Sequence, residues 1–198
     1  SIRRQRQMCI RDSVDTLYTT AFISMKAGPW VFEMPANDER YELMPFMDAW
    51  TDVFASPGTR THDVQINAQG GSQGGIFLLV GPQWQGVAPV GMTLLRSTTD
   101  MVWLIGRTQT NGVSDFERVH RLQDRLKLYR LGAPASSASS WQASKQTSAP
   151  PVVQMTQLST GDFYQRLMQL MVENPPKPAD QAMMQRLACL LYTSPSPR

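Results

Sequence analysis

Apolar residues fall in short runs along the first hundred positions. Phe22–Met25, Trp30–Met34, Tyr41–Met47, Val64–Ile66, Ile76–Val80, Met92–Leu95 and Met101–Ile105 are each of strand length. AGP, PAND, SPG, NAQGG, VGP and STTD separate them with glycine, proline and short polar side chains, the residues that favour turns. Strands at this spacing predict a mainly β domain, a sandwich or a barrel. Ile76–Val80 is apolar at every position, which predicts a strand covered on both faces.

The period then changes. Ser114-Asp115-Phe116-Glu117 has the spacing of a capping box. Phe116, Val119, Leu122, Leu126 and Tyr129 follow at helical intervals, with Gly132 as the stop. Between them Glu117, Arg118, Arg121, Asp124, Arg125 and Lys127 read as a solvated helix face. Residues 132–151, rich in Ala, Ser and Pro, predict a linker that Trp141 docks onto the body. A second helix is expected from about Gly161 to Glu173, ended by Asn174-Pro175-Pro176, and a third is expected to be capped by Asp180. No internal repeat is evident.

Charge changes its meaning with position. The chain has 198 residues, 19 basic and 16 acidic, a net +3, and 2 cysteines. Yet Arg3–Asp12, RRQRQMCIRD, and Cys189–Arg198, CLLYTSPSPR, are compatible with one DNA element translated in opposite directions. Both resemble translated transposase-type sequencing adapters, and residues 1–13 and 189–198 are set aside as non-native, as tags are. The body then keeps 14 basic and 15 acidic residues, a net −1, and no cysteine. A basic-partner reading loses its support, so no nucleic acid is expected. A disulfide scaffold and a four-cysteine zinc site are excluded, and no apolar run is long enough to span a membrane. The expected organisation is a β domain over 14–113 and a helical extension over 114–188, cut short where the second adapter-like segment begins.

Chemistry is sparse. His62 lies in a turn and His120 on the capped helix. No GxSxG elbow or His/Cys metal set accompanies them. Asp48 and Asp52 lack calcium-loop spacing. The run Gly70-Gly71-Ser72-Gln73-Gly74-Gly75 precedes a strand and lacks the Lys-Ser or Lys-Thr of a phosphate loop, so it reads as a hairpin loop. No metal or cofactor is expected. The candidate ligand-binding residues are Asp15, Tyr18, Arg40, Trp50, Arg60 and Arg107. Arginines at strand ends clamp carboxylates. The alternative is internal bracing, with Arg60 and Arg107 paired to Asp15, Asp48 or Asp52.

DTLY, WVFEMP, RYELMPFMDAWTDVFASPGTRT, LLVGPQWQG, MVWLIGRTQTNG and DFERVHRLQD, in this order, resemble the bacterial family named domain of unknown function 1254. The later DFYQRLMQLMVENPPKPADQAMMQRLA is similar to the segment that follows in that family. The chain departs from it in the longer HDVQINAQGGSQGG after GTRT. The resemblance implies an immunoglobulin-like β-sandwich followed by a small helical part, export to the periplasm or envelope, and a second domain, of unknown function 1214, as the partner missing from this chain. It supplies no catalytic residues. The function expected is a binding or structural module of the cell envelope, open to a small-molecule ligand. The alternative is half of a hydrolase-type site, with Asp15, Tyr18, Arg60 and Arg107 completed by the missing C-terminal domain.

Overall fold

Alternation of apolar and polar residues decides most of the first unit. A computed structural model describes residues 2–4, 15–37, 39–61, 64–65, 68, 70–138 and 151–192. The chain divides into two units, residues 1–148 and 149–198. In the first, β1 (Ile2–Arg4), β2 (Thr16–Ser24), β9 (Met101–Gln109), β5 (Phe46–Asp48) and β6 (Val53–Ala55) lie in that order, with β4 (Glu42–Leu43) also on β9. The second sheet runs β10 (Lys127–Arg130), β3 (Trp30–Met34), β7 (Gly75–Val80) and β8 (Thr93–Arg96). All pairs are antiparallel except β7–β8, which is parallel.

The longest ladder is β2 against β9, from Thr16 opposite Gln109 to Ser24 opposite Met101. Side chains alternate across it, so one face turns Leu17, Thr19, Ala21 and Ile23 inward beside Val102, Leu104 and Thr108. The inner face of the second sheet supplies Phe32, Met34, Phe77, Leu79 and Leu128 to the same core. Phe32 meets Phe46 edge-on across the sheets at 5.3 Å, a contact worth about 0.5–1.5 kcal/mol beyond its area. Gly106 has no room for a side chain, since a Cβ there would strike the Met44 sulfur. On the other face of the second sheet, Val31, Leu78 and Val80 are covered by Trp84, Ala88 and Met92 of the β7–β8 crossover. The two-sided burial predicted for Ile76–Val80 therefore holds over Phe77–Val80, while Ile76 is exposed.

The helix expected up to Tyr129 is shorter. The α1 helix is Phe116–Gln123, and after a turn the chain becomes β10, paired with β3. Leu126 and Leu128 are buried at a spacing of two, the strand period, and Leu126 only coincidentally continues the helical series. The Ser114 capping box does not form. Ser114 lies in a 3-10 turn, and the Asp115 position makes no side-chain cap. The strand β6 is only three residues between turn residues, and the first half of β2 is rich in threonine, so neither stands out in the sequence. Of the strand expected at Val64–Ile66, Val64 and Gln65 are outside any strand, and Ile66 lies outside the described residues. Residues 5–14 and 193–198 of the adapter-like ends, with His62 and Trp141, also lie outside them.

The second unit holds α2 (Pro151–Thr156), α3 (Thr160–Glu173) and α4 (Gln181–Tyr192). Ser159 caps α3 by accepting from the Asp162 backbone N–H at 3.1 Å. Asn174 ends it, as expected. Among its described residues no apolar side chain is buried.

One backbone position is strained. Thr51, at the β5–β6 hairpin, has φ of 68°, a left-handed conformation that β-branched residues avoid. Asp48 holds it there by accepting from the N–H groups of Trp50 and Asp52 and from the Thr98 hydroxyl. Thr51→Gly is expected to stabilise the chain by about 0.5–1 kcal/mol, read as a higher urea midpoint with an unchanged slope.

Candidate functional site

The site is built where the loop after β3 meets the end of β9 and α1. Asn37 anchors the loop through its N–H on the Ser72 carbonyl, and its side-chain oxygen accepts from the Arg40 N–H at 3.0 Å. Arg40 then reaches out with both guanidinium nitrogens. Nη1 donates to the Gln109 carbonyl and to Asp115 Oδ2, both at 2.6 Å, and Nη2 donates to Asp115 Oδ1 at 3.0 Å. This two-point grip on a largely buried carboxylate is the strong form of ion pair. It holds the Asp115 carboxyl below its ordinary range, with the Asn111 N–H assisting. The far end of α1 is tied by Gln123, whose amide donates to the Tyr18 carbonyl and the Thr19 hydroxyl, each at 3.1 Å.

A helix fixed at both ends presents one face in register. Arg118 and Arg121 on α1, Arg125 in the turn after it, and Arg40 across the gap line a cleft of about 720 Å³ with Asn37, Gln109 and Asn111. Arg121 lies 3.7 Å from Glu117, both exposed, a pair of little consequence. Among the described residues, Arg118 and Arg125 make no ion pair or side-chain hydrogen bond. Four guanidinium groups around the cleft outnumber the one carboxylate that lines it, Glu39, and favour an anion over a cation.

Glu42 lies fully buried beside this cleft. Its Oε2 accepts from Asn37 Nδ2 at 2.9 Å, and its Oε1 has no partner. Gly58 and Thr59 close over its backbone, with the Thr59 N–H donating to the Glu42 carbonyl at 2.8 Å. A Cβ on Gly58 would strike that carbonyl. Burial pushes the Glu42 carboxyl up to about 7, against the hydrogen bond from Asn37 and the charges of Arg125 and Arg40. Thr108, its cross-strand partner, also has a buried oxygen without a partner.

The residues expected to bind ligand are dispersed. Only Arg40 lines the cleft. Arg107 lies over the Tyr18 ring at 5.5 Å on the outer face of the first sheet. Arg60 lies over Tyr41 at 4.8 Å, so in both cases an aromatic face takes the place of the expected aspartates. The Asp15 carbonyl accepts from Thr110 at the start of β2, and Trp50 stands at the β5–β6 hairpin. Among the described residues, no group of three or more His, Cys, Asp or Glu could hold a metal ion. Nor is any helix long and apolar enough to cross a membrane.

Residues 2–130 match the family described as protein of unknown function DUF1254, a match that begins ahead of the native boundary expected at residue 14. The chain belongs to the DUF1254 family. Among solved structures it is similar to the VPA0106 protein from Vibrio parahaemolyticus, at 21% identity and a TM-score of 0.64. That similarity covers 92% of this chain and 41% of the other, so the chain spans about two fifths of that protein's length and shares its fold. No curated protein matches.

For this DUF1254 member, Arg118, Arg121 and Arg125 read in sequence as part of a solvated helix face, with a functional basic stripe as the less favoured alternative. Arg118 and Arg121, at i and i+3, share one face of α1, and Arg125 joins them from the turn after it. Glu42 carried no signal, since its burial depends on loops from elsewhere in the chain.

The raised Glu42 carboxyl is linked to stability. The folded chain favours the neutral acid, so this contribution is complete below about pH 4.5 and is lost as pH rises through about 7. The loss amounts to about 3 kcal/mol. Glu42→Gln is expected to abolish most of that fall, measured by urea denaturation at about pH 5, 7 and 8.5.

Proposed function

We propose that this domain is a binding module for a small anionic ligand, held in the arginine-lined cleft between α1 and the end of β9. The observation that carries the reading is the convergence of Arg40, Arg118, Arg121 and Arg125 on one cavity large enough for a metabolite-sized molecule. Arg40 is already committed to Asp115 and frames the site, which leaves Arg118 and Arg125 to take the anion. The Gln109 and Asn111 amides add neutral hydrogen-bonding groups that fix its orientation. A carboxylate, phosphate or sulfate satisfies this chemistry, because each presents the paired oxygens that a guanidinium matches.

The setting implied by the family resemblance is the cell envelope, and a binding role there is part of the proposal. We also read the two facing sheets as an immunoglobulin-like sandwich, on the support of their shared core. The parallel β7–β8 pair departs from the antiparallel sheets of that fold.

Calorimetric titration of the chain with sulfate, inorganic phosphate and succinate tests the reading, with glycerol as the neutral control. At least one anion is expected to bind, and glycerol is not. The double variant Arg118→Gln/Arg125→Gln is expected to lose about tenfold or more in affinity while keeping its denaturation midpoint, since each charged hydrogen bond is worth about 1.5–3 kcal/mol. Failure of all three anions, or equal binding by the double variant, overturns it.

A further inference from the structure

We propose that the cleft takes up its anion together with a proton on Glu42, so that this buried carboxyl sets the affinity and the pH range of binding. The inference rests on the anion-site reading and deepens it.

Glu42 and the ligand draw on the same positive charges. Arg40 and Arg125 line the cleft, and their charges also act on the buried carboxylate. An ionised Glu42 satisfies part of that field from behind. An anion in front must then share it, and the two negative charges repel through a poorly screened interior. A neutral Glu42 leaves the whole field to the ligand. The orphan atoms fit the same picture. As a carboxylate Glu42 only accepts hydrogen bonds, and its Oε1 finds no donor. As an acid it offers an O–H, and the Thr108 hydroxyl oxygen, its cross-strand neighbour, lacks a partner too.

The surrounding ionisable groups leave Glu42 as the group that responds near neutrality. The loop before β4 carries Glu39 and Arg40. The 3-10 turn before α1 carries Asp115, engaged by Arg40. From α1 and its following turn come Glu117, Arg118, His120, Arg121, Asp124 and Arg125, and β10 adds Lys127 beyond. Arginine and lysine stay charged across this range, and ordinary carboxylates stay ionised. Burial brings Glu42 itself to about 7. Histidine is the other residue type that responds in this range, and both histidines of the chain are controlled for directly. Linkage then runs both ways: the proton strengthens anion binding, and the anion raises proton affinity by the same factor.

Sulfate is the probe, because its own charge is constant between about pH 6 and 8.5. Calorimetric titration of the chain is expected to show binding about tenfold tighter at pH 6 than at pH 8.5. Near pH 7, paired buffers of different ionisation enthalpy should reveal uptake of up to one proton per sulfate bound. Glu42→Gln is expected to bind at both pH values with the affinity of the unmodified chain at low pH, and without proton uptake. The variant His62→Gln/His120→Gln, which removes both histidines of the chain, is expected to keep the pH dependence. Absence of sulfate binding at either pH overturns the anion site and the coupling with it. Binding that is indifferent to pH, or a pH dependence that survives Glu42→Gln, overturns the coupling and leaves the site standing. Loss of the dependence in the histidine-free variant assigns it to histidine and overturns the role of Glu42. Proton uptake by the unmodified chain keeps the test decisive even where Glu42→Gln fails to fold.

Discussion

The larger sheet of the first unit is organised around β9. Its nine residues pair with β2 on one side and with β4 and β5 on the other. A shift of one residue in the β2–β9 ladder would turn Leu104 and Val102 to solvent and bring Trp103 and Arg107 into the core. That register therefore fixes the core, the outer face and the cleft together. Gln109, its last residue, lines the cleft. Arg40 grips the Gln109 carbonyl and the start of α1 with the same guanidinium. The cleft is thus referenced to the most extensively paired strand rather than to loops alone.

The buried polar groups near the cleft run against ordinary core construction. Glu42 and Thr108 each leave an oxygen unsatisfied, and so does Gln123, although it anchors α1. Such atoms cost about 1–3 kcal/mol apiece. Their concentration on the elements around one cavity, away from the phenylalanine core of Phe32, Phe46 and Phe77, separates the molecule into a part that holds it together and a part that tolerates frustration.

What the sequence made legible follows the same division. Apolar strands announced themselves by run length and turn residues, so β3, β7 and most of β9 were readable. Strands written in threonine and tyrosine were not: Thr16 to Thr20 carries the pattern of β2 in alternate burial, which is invisible before the partner strand is known. Helical spacing overran at Leu126 because one leucine serves both periods. Within the site, Arg40 stood out in the sequence as a ligand-binding candidate, while its partner Asp115 read only as an inner position of a capping box headed by Ser114. Arg60 and Arg107 were expected to meet carboxylates and stack on Tyr41 and Tyr18 instead. Such choices depend on which side chains share a sheet face, and that is a property of register rather than of local pattern.

The distance in sequence between β2 and β9 has a consequence during synthesis. The first residues of β2 are made about 93 positions before their partners, roughly 5–19 s at ordinary translation rates. β3 waits longer still for β10. Throughout that interval TLYTTAFIS is an uncharged segment whose β9-facing edge is vacant, with only β1 already made to pair along its other edge at residues 19–21. The topology makes the nascent domain a candidate for holding by chaperones until residue 109 has emerged, and it sets a slow, non-local closure as the step that commits the chain to its fold.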